Sequence, residues 1–202
     1  MNAIPTPESP CDLDAVIATD LLDGRKARAF RFDLETRIGL DLARDLAKKP
    51  DNFFNRLVEA ALELSGADST GISLLDEETK SFIWPAVAGK LKCYIGSGTP
   101  RDFGPCGTVL DRQSVVLFLH PERHFTYLAP IAPPLEEVLL IPFYMNGKAV
   151  GTIWAVIHNT TRKFDSEDRR LLTSLSKFAS DAYRIFIENG TLKSLLKKKG
   201  SS

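Results

Sequence analysis

A long non-repeating stretch between two regions of regular hydrophobic pattern constrains this chain more than any other feature. From Tyr94 to Phe125 the residues YIGSGTPRDFGPCGTVLDRQSVVLFLHPERHF collect glycines, prolines, a cysteine and two histidines. A connection this long inside a compact domain is uncommon unless it binds something or is disordered. Phe103, Val109, Leu110, Val115, Val116, Leu117 and Phe118 make it too apolar for disorder. A ligand is expected here.

The flanking regions have readable periods. Between Arg25 and Lys48, Phe32, Leu34, Ile38, Leu42 and Leu46 recur at helical spacing, and Pro50 stops that helix. Asp51 is placed to cap the next one. There Phe54, Leu57, Val58, Ala61 and Leu62 form an apolar stripe, closed by Gly66. The period then changes to two. GISLLDEETKSFIWPAV reads as strand, acidic turn and strand, with Ile72 and Leu74 on one face and Phe82 and Trp84 opposite them. VLLIPFYMNGKAVGTIWAVIH reads as a hairpin about Asn146-Gly147, a pair suited to the positive φ angles of a type I′ turn. Pro142 inside its first strand calls for an irregularity or an unpaired edge. Asp165 caps a final helix beside Phe164, and Leu171, Leu175, Phe178, Ala182 and Ile185 step along it at coiled-coil spacing. Residues 1–24 read as a flexible leader, 25–190 as one domain and 191–202 as a basic tail beyond Asn189-Gly190, with solvated lysines.

The bulk numbers exclude several classes. Of 202 residues, 26 are acidic and 26 basic, so no global field attracts nucleic acid or an anionic membrane. No apolar run reaches membrane-spanning length, and the N-terminus does not read as a signal peptide. Three cysteines (Cys11, Cys93 and Cys106) without framework spacing point to a reducing, cytoplasmic setting.

The order helix, helix, strand, strand, long loop, strand, strand, helix, together with FNRLVEAALELSGADSTGISLLDEE, GKAVGTIWAV and FDSEDRRLLTSLSKFAS, resembles a GAF domain over about Arg37 to Ile187. The resemblance implies an α+β fold: an antiparallel sheet, terminal helices on one face and a loop-capped pocket on the other. It also implies a bacterial sensory module that dimerises through its terminal helices and signals to an output domain. RDFGPCGTVLDR and HPERHF are similar to GAF modules placed upstream of histidine kinases.

Particular residues narrow the chemistry. His120 and His124 supply half a metal site, with no third ligand at a recognisable spacing, so no metal is expected. In phytochrome-type GAF domains a bilin-bearing cysteine is commonly followed by histidine. Here Gly107 follows Cys106 and Tyr94 follows Cys93, so no covalent bilin is expected. Phe164 and Asp168 match part of the cyclic-nucleotide GAF signature, but Arg169 replaces its glutamate, and a staple and cap explain the other two. Free methionine-R-sulfoxide reductases also use this fold. Cys93 and Cys106 bracket their corresponding loop, yet no downstream cysteine completes the set. Such a thiol needs a nearby cation or helix N-terminus to lower its pKa, which Arg101 and a helix near Gly107 would supply. Gly96-Ser97-Gly98 lacks a P-loop lysine.

The remaining expectation is a small-ligand pocket built from Trp84, Phe103, Cys106, Tyr144 and Trp154, with Arg101, Asp102 and His124 as polar contributors, of which Arg101 and His124 face an anionic or strongly polar ligand. With no nucleophile–base–acid set in view, the reading is a non-catalytic sensor. The thiol-dependent reductase and a pure dimerisation module are its alternatives.

Overall fold

The computed structural model describes residues 10–196. Residues 1–9 of the expected leader and 197–202 of the expected basic tail lie outside the described residues. The elements run α1 (Leu21–Gly24), α2 (Phe32–Lys48), α3 (Phe53–Ser65), β1 (Ser69–Asp76), β2 (Ser81–Gly89), α4 (Pro105–Arg112), β3 (Val116–Leu119), β4 (Glu137–Met145), β5 (Lys148–Ile157), α5 (Ser166–Glu188) and α6 (Leu192–Leu196). The strands form one antiparallel sheet in the order β2-β1-β5-β4-β3.

Strand alternation splits the core in two. On one face Ile72, Leu74, Leu139, Ile141, Ile153 and Ala155 meet α2, α3 and α5 through Leu42, Leu57, Leu172, Ala179 and Phe186. On the other, Trp84, Val138, Leu140, Trp154 and Val156 meet the loops and α4. Alternation holds through β4 and β5 but breaks in β2. Ile72 pairs with Ala86 and Leu74 with Ile83, so Trp84 and Pro85 together oppose Ser73. This bulge shifts the parity: Phe82 and Trp84 face the loops, whereas Ala86 and Ala88 face the helices. Pro85 sits in the bulge, where its lack of an N–H is tolerated.

Local signals act as read. Asn146 and Gly147 hold φ of 51° and 78° in a two-residue turn between the paired Met145 and Lys148. Gly66 is left-handed at φ 62° and ends α3. Pro142 lies beyond Leu140, the residue paired with the first residue of β3, and so at an unpaired edge. Asp165 caps α5 in a capping box with Asp168, and Phe164 is buried beside it. Three expectations are corrected. The segment from Arg25 to Arg31 precedes α2 rather than opening it. Asn52, not Asp51, holds the N-cap position of α3, because residues 50–52 form their own tight turn. The stripe along α5 is used inside this chain, with Leu171, Leu175 and Ala182 buried against its own core.

Within the expected leader, residues 10–24 are tied to the sheet. Ala18 N donates to Leu117 O and Leu119 N to Val16 O, both at 2.8 Å, so this strap pairs with the open edge of β3. Val16 and Leu22 are fully buried. Arg25 then holds the buried Glu137 with its two terminal guanidinium nitrogens, at 3.0 and 2.8 Å, and donates to Phe164 O. At the opposite edge, residues 96–101 run beside β2: Phe82 N donates to Thr99 O and Trp84 N to Ser97 O. A Cβ on Gly98 would lie 1.7 Å from Phe82 O, so this approach needs glycine. Both sheet edges are thereby covered by irregular chain.

Candidate functional site

The loop face holds a half-open cavity of about 40 Å³ between the sheet and its cap. The floor is Trp84 from β2, Val138 and Leu140 from β4, and Trp154 and Val156 from β5. Pro105 and Cys106 at the start of α4, Pro121 and Leu128 from two tight turns, and the loop residues Ile131 and Leu135 cover it. Trp154 lies flat over Gly71, where any Cβ would come within 2.1 Å of the indole. The two indoles are 5.4 Å apart and tilted by 60°. Tyr94 contributes from behind, its hydroxyl accepting from Ala132 N at 3.1 Å and pinning the cap.

Polar groups around the cavity are few. Ser73 Oγ accepts from Trp154 Nε1 at 3.0 Å and from the Cys106 thiol at 3.2 Å. Thr152 Oγ1 approaches the same sulfur at 3.6 Å. Burial pushes the Cys106 thiol up from its ordinary pKa, and these hydroxyls only partly oppose it. Burial likewise pushes up the Tyr127 hydroxyl. Thr99 Oγ1 lies near enough to both to bias them, but no pairing among the three has hydrogen-bond geometry. Trp84 Nε1 is also buried and unpaired.

Of the residues expected at the site, Trp84, Cys106 and Trp154 line the cavity. Five do not. Arg101 turns outward to grip Asp111 on α4 and, with Asp102, lines a separate surface cleft beside Glu77, Lys80 and Lys148. Phe103 packs in the outer cap against His124, Phe125 and Tyr127, and remains 42% exposed. His124 faces the strap, its Nδ1 2.6 Å from Cys11 O. Tyr144 donates its hydroxyl to Gln113 O at the far end of β4. Arg101 and His124 therefore do not line this cavity, whose interior has no charged side chain. Arg101 also pairs with Asp111 rather than with the thiol it was expected to activate.

Alternation would have revealed more of the wall. Once Trp154 is assigned to the ligand face, Thr152 and Val156 follow at period two, as does Ser73 opposite Ile72 and Leu74. Thr99 had no such signal, because only pairing of its loop with β2 brings it inward. Among the described residues no three His, Cys, Asp or Glu side chains stand together as a metal site. His120 ends instead between Glu122 and Glu136, at 3.5 and 3.4 Å. No helix among them is long and apolar enough to cross a membrane.

Comparison with known proteins agrees with this architecture. The sequence model of the GAF domain matches residues 47–183. The GAF domain of an Acinetobacter phosphoenolpyruvate-protein phosphotransferase superposes with a TM-score of 0.67 at 18% identity, over 82% of this chain and 99% of that one. Free methionine-R-sulfoxide reductase from Neisseria meningitidis, solved with its substrate, gives 0.65 at 17% identity, over 82% and 97%. The second GAF domain of DevS from Mycobacterium smegmatis gives 0.57 at 19%, over 70% and 98%. At these identities the likeness concerns the fold. No curated protein matches the sequence significantly.

Proposed function

The chain belongs to the GAF domain family, and we propose that it is a non-catalytic regulatory module that binds a small molecule and passes the signal to an attached output domain, such as a histidine kinase. The cavity on the loop face carries this reading. It is walled by β4 and β5, whose alternate residues are packed on the other side against α5. A ligand that displaces Leu140 or Trp154 therefore pushes, one residue away, on Leu139, Ile153 and Ala155. The strap supplies a second route, because it touches the cap at Cys11 and the entry to α5 through Arg25. A signal also requires that the ligand bind two states with different affinity.

A homodimer in a cytoplasmic setting belongs to the same proposal. Since the α5 stripe is occupied internally, the dimer contact would use Phe32 and Leu40 of α2 with Ile187 of α5, all exposed apolar side chains. The reductase reading has less support. Its nucleophile must be a thiolate, and Cys106 is a buried thiol whose pKa is raised.

Native mass spectrometry of the purified protein tests the proposal. A copurified small molecule in a dimer supports it. Consumption of free methionine-R-sulfoxide with thiol oxidation would replace it by the reductase reading. An empty monomer with no ligand-induced change would defeat it.

A further inference from the structure

Part of the cover over the cavity is held in place by side chains from outside it. Residues 131–135 reach the lining through Ile131 and Leu135. Pro133 and Pro134 have no N–H to give, so backbone pairing holds this stretch poorly. Two side chains fix it instead. The Tyr94 hydroxyl accepts from Ala132 N at 3.1 Å, and His158 Nδ1 lies 2.8 Å from Pro134 O.

The His158 contact is satisfied in one protonation state only. A carbonyl can only accept, so Nδ1 carries a proton. In the neutral ring Nε2 is then bare and accepts from the Ser69 hydroxyl, 2.9 Å away. Ser69 Oγ in turn accepts from Leu91 N at 3.1 Å. Ser69 is fully buried on β1. A proton added at Nε2 would face the Ser69 oxygen and turn the hydroxyl's own proton away, out of reach of solvent. A buried donor left so carries its full desolvation penalty. The charged groups acting on the ring are Asp68, just before β1, and Lys90, just after β2. They meet each other at 2.6 Å, and Asp68 also accepts from His158 N and Asn159 Nδ2. With that carboxylate so engaged, burial holds the His158 pKa below the ordinary histidine value.

We propose that His158 is a proton-operated pin for the cover of the cavity. Neutral, it ties Pro134 to β1 and holds residues 131–135 down. Protonated, the half-buried ring turns to solvent, Nδ1 leaves Pro134 O, and the cover loosens. This goes beyond the sensor reading by adding the proton as an input, and its failure would leave that reading intact. The sign follows from the closed form holding the ring neutral. The pin is fully present above the ordinary histidine pKa of about 6.5 and is lost as pH falls through the lower value of the closed form. Between the two, the open-to-closed ratio rises by at most about tenfold per pH unit, the limit for one proton.

The chain has 2 tryptophans, and both line the cavity, so quenching of their emission by neutral acrylamide reads the state of the cover. Quenching should increase severalfold from about pH 7.5 to about pH 5, the range in which histidine titrates. His158→Gln should abolish the increase. Tyr94→Phe, which removes the other pin, should raise quenching throughout and keep the increase. His120→Gln and His124→Gln should keep it too, a necessary control because His120 lies 3.4 Å from Glu136 at the end of the cover. Hydrogen exchange locates the change: protection of the Ala132 amide should fall over the same range while amides of β1 and β5 keep theirs. No increase in the native protein, an increase that survives in His158→Gln or vanishes in His120→Gln, or equal loss of protection in β1 and β5 would each overturn the pin.

Discussion

The two faces of the sheet are built from similar strands and packed to different ends. The helix face is a continuous hydrocarbon layer in which Leu57, Leu172, Phe186 and Ile153 are essentially without exposure. The loop face has a comparable share of large apolar side chains, but also a cavity, a buried thiol and two unpaired donors. Regular helices can mesh with a sheet to near crystalline density. A cap made of one short helix and several tight turns meets the sheet less completely. The helix face is suited to hold the fold and the loop face to receive something.

Substitutions should separate these roles, with the largest effect on the helix face. Leu57→Ala should cost about 2–5 kcal/mol in urea unfolding, since it opens a hole beneath α3 where the neighbours cannot all collapse. A loss below 1 kcal/mol would show that the helix layer is looser than described. Gly71→Ala comes next. Its methyl group enters the Trp154 ring, so a loss of about 1–3 kcal/mol is expected, with a shifted tryptophan emission spectrum as the indole moves off β1. Unchanged emission would place Trp154 elsewhere.

The buried thiol gives a pH-dependent effect. An unfolded cysteine ionises near pH 8.5, whereas burial raises the folded pKa of Cys106. Its contribution is fully present below the unfolded pKa and is lost as pH rises towards the folded one. In that window the native protein should lose up to about 1.4 kcal/mol per pH unit relative to Cys106→Ala. Parallel stability curves for the two proteins above pH 8.5 would mean that the thiol is not buried as described. The smallest effect is expected for Thr99→Val, within about 1 kcal/mol of the native protein by the same urea assay, because removing an unpaired hydroxyl forfeits no hydrogen bond. A loss of several kcal/mol would show that Thr99 already has a partner.

Legibility in the sequence followed the range of the interaction. The stripe from Phe54 to Ala61, the Asn146-Gly147 turn and the Asp165 cap were readable because residues within a few positions decide them. The strap was not. Residues 10–24 are rich in acids and small side chains, and it is pairing with β3, nearly a hundred positions away, through Val16, Ala18 and Thr19 that holds them to the sheet. Within the site, Trp84, Cys106 and Trp154 were legible as large or chemically distinct residues near the loop. Arg101 and His124 lie outside the cavity because a polar side chain is drawn to whichever partner the fold presents. For Arg101 that partner was Asp111, and for His124 the carbonyl of Cys11.

By itself the sequence determined the long helices, the strands outside the long loop, their order and the family, since hydrophobic period, caps and turn residues are local and additive, whereas β3 inside that loop was not read. The tertiary structure alone decided which side chains share the cavity. A bulge at Trp84 and Pro85 shifted the parity of β2, and residues from loops and strands far apart in the chain were brought within a few ångströms. That proximity is set by how rigid elements pack, a property of the whole chain rather than of any one segment.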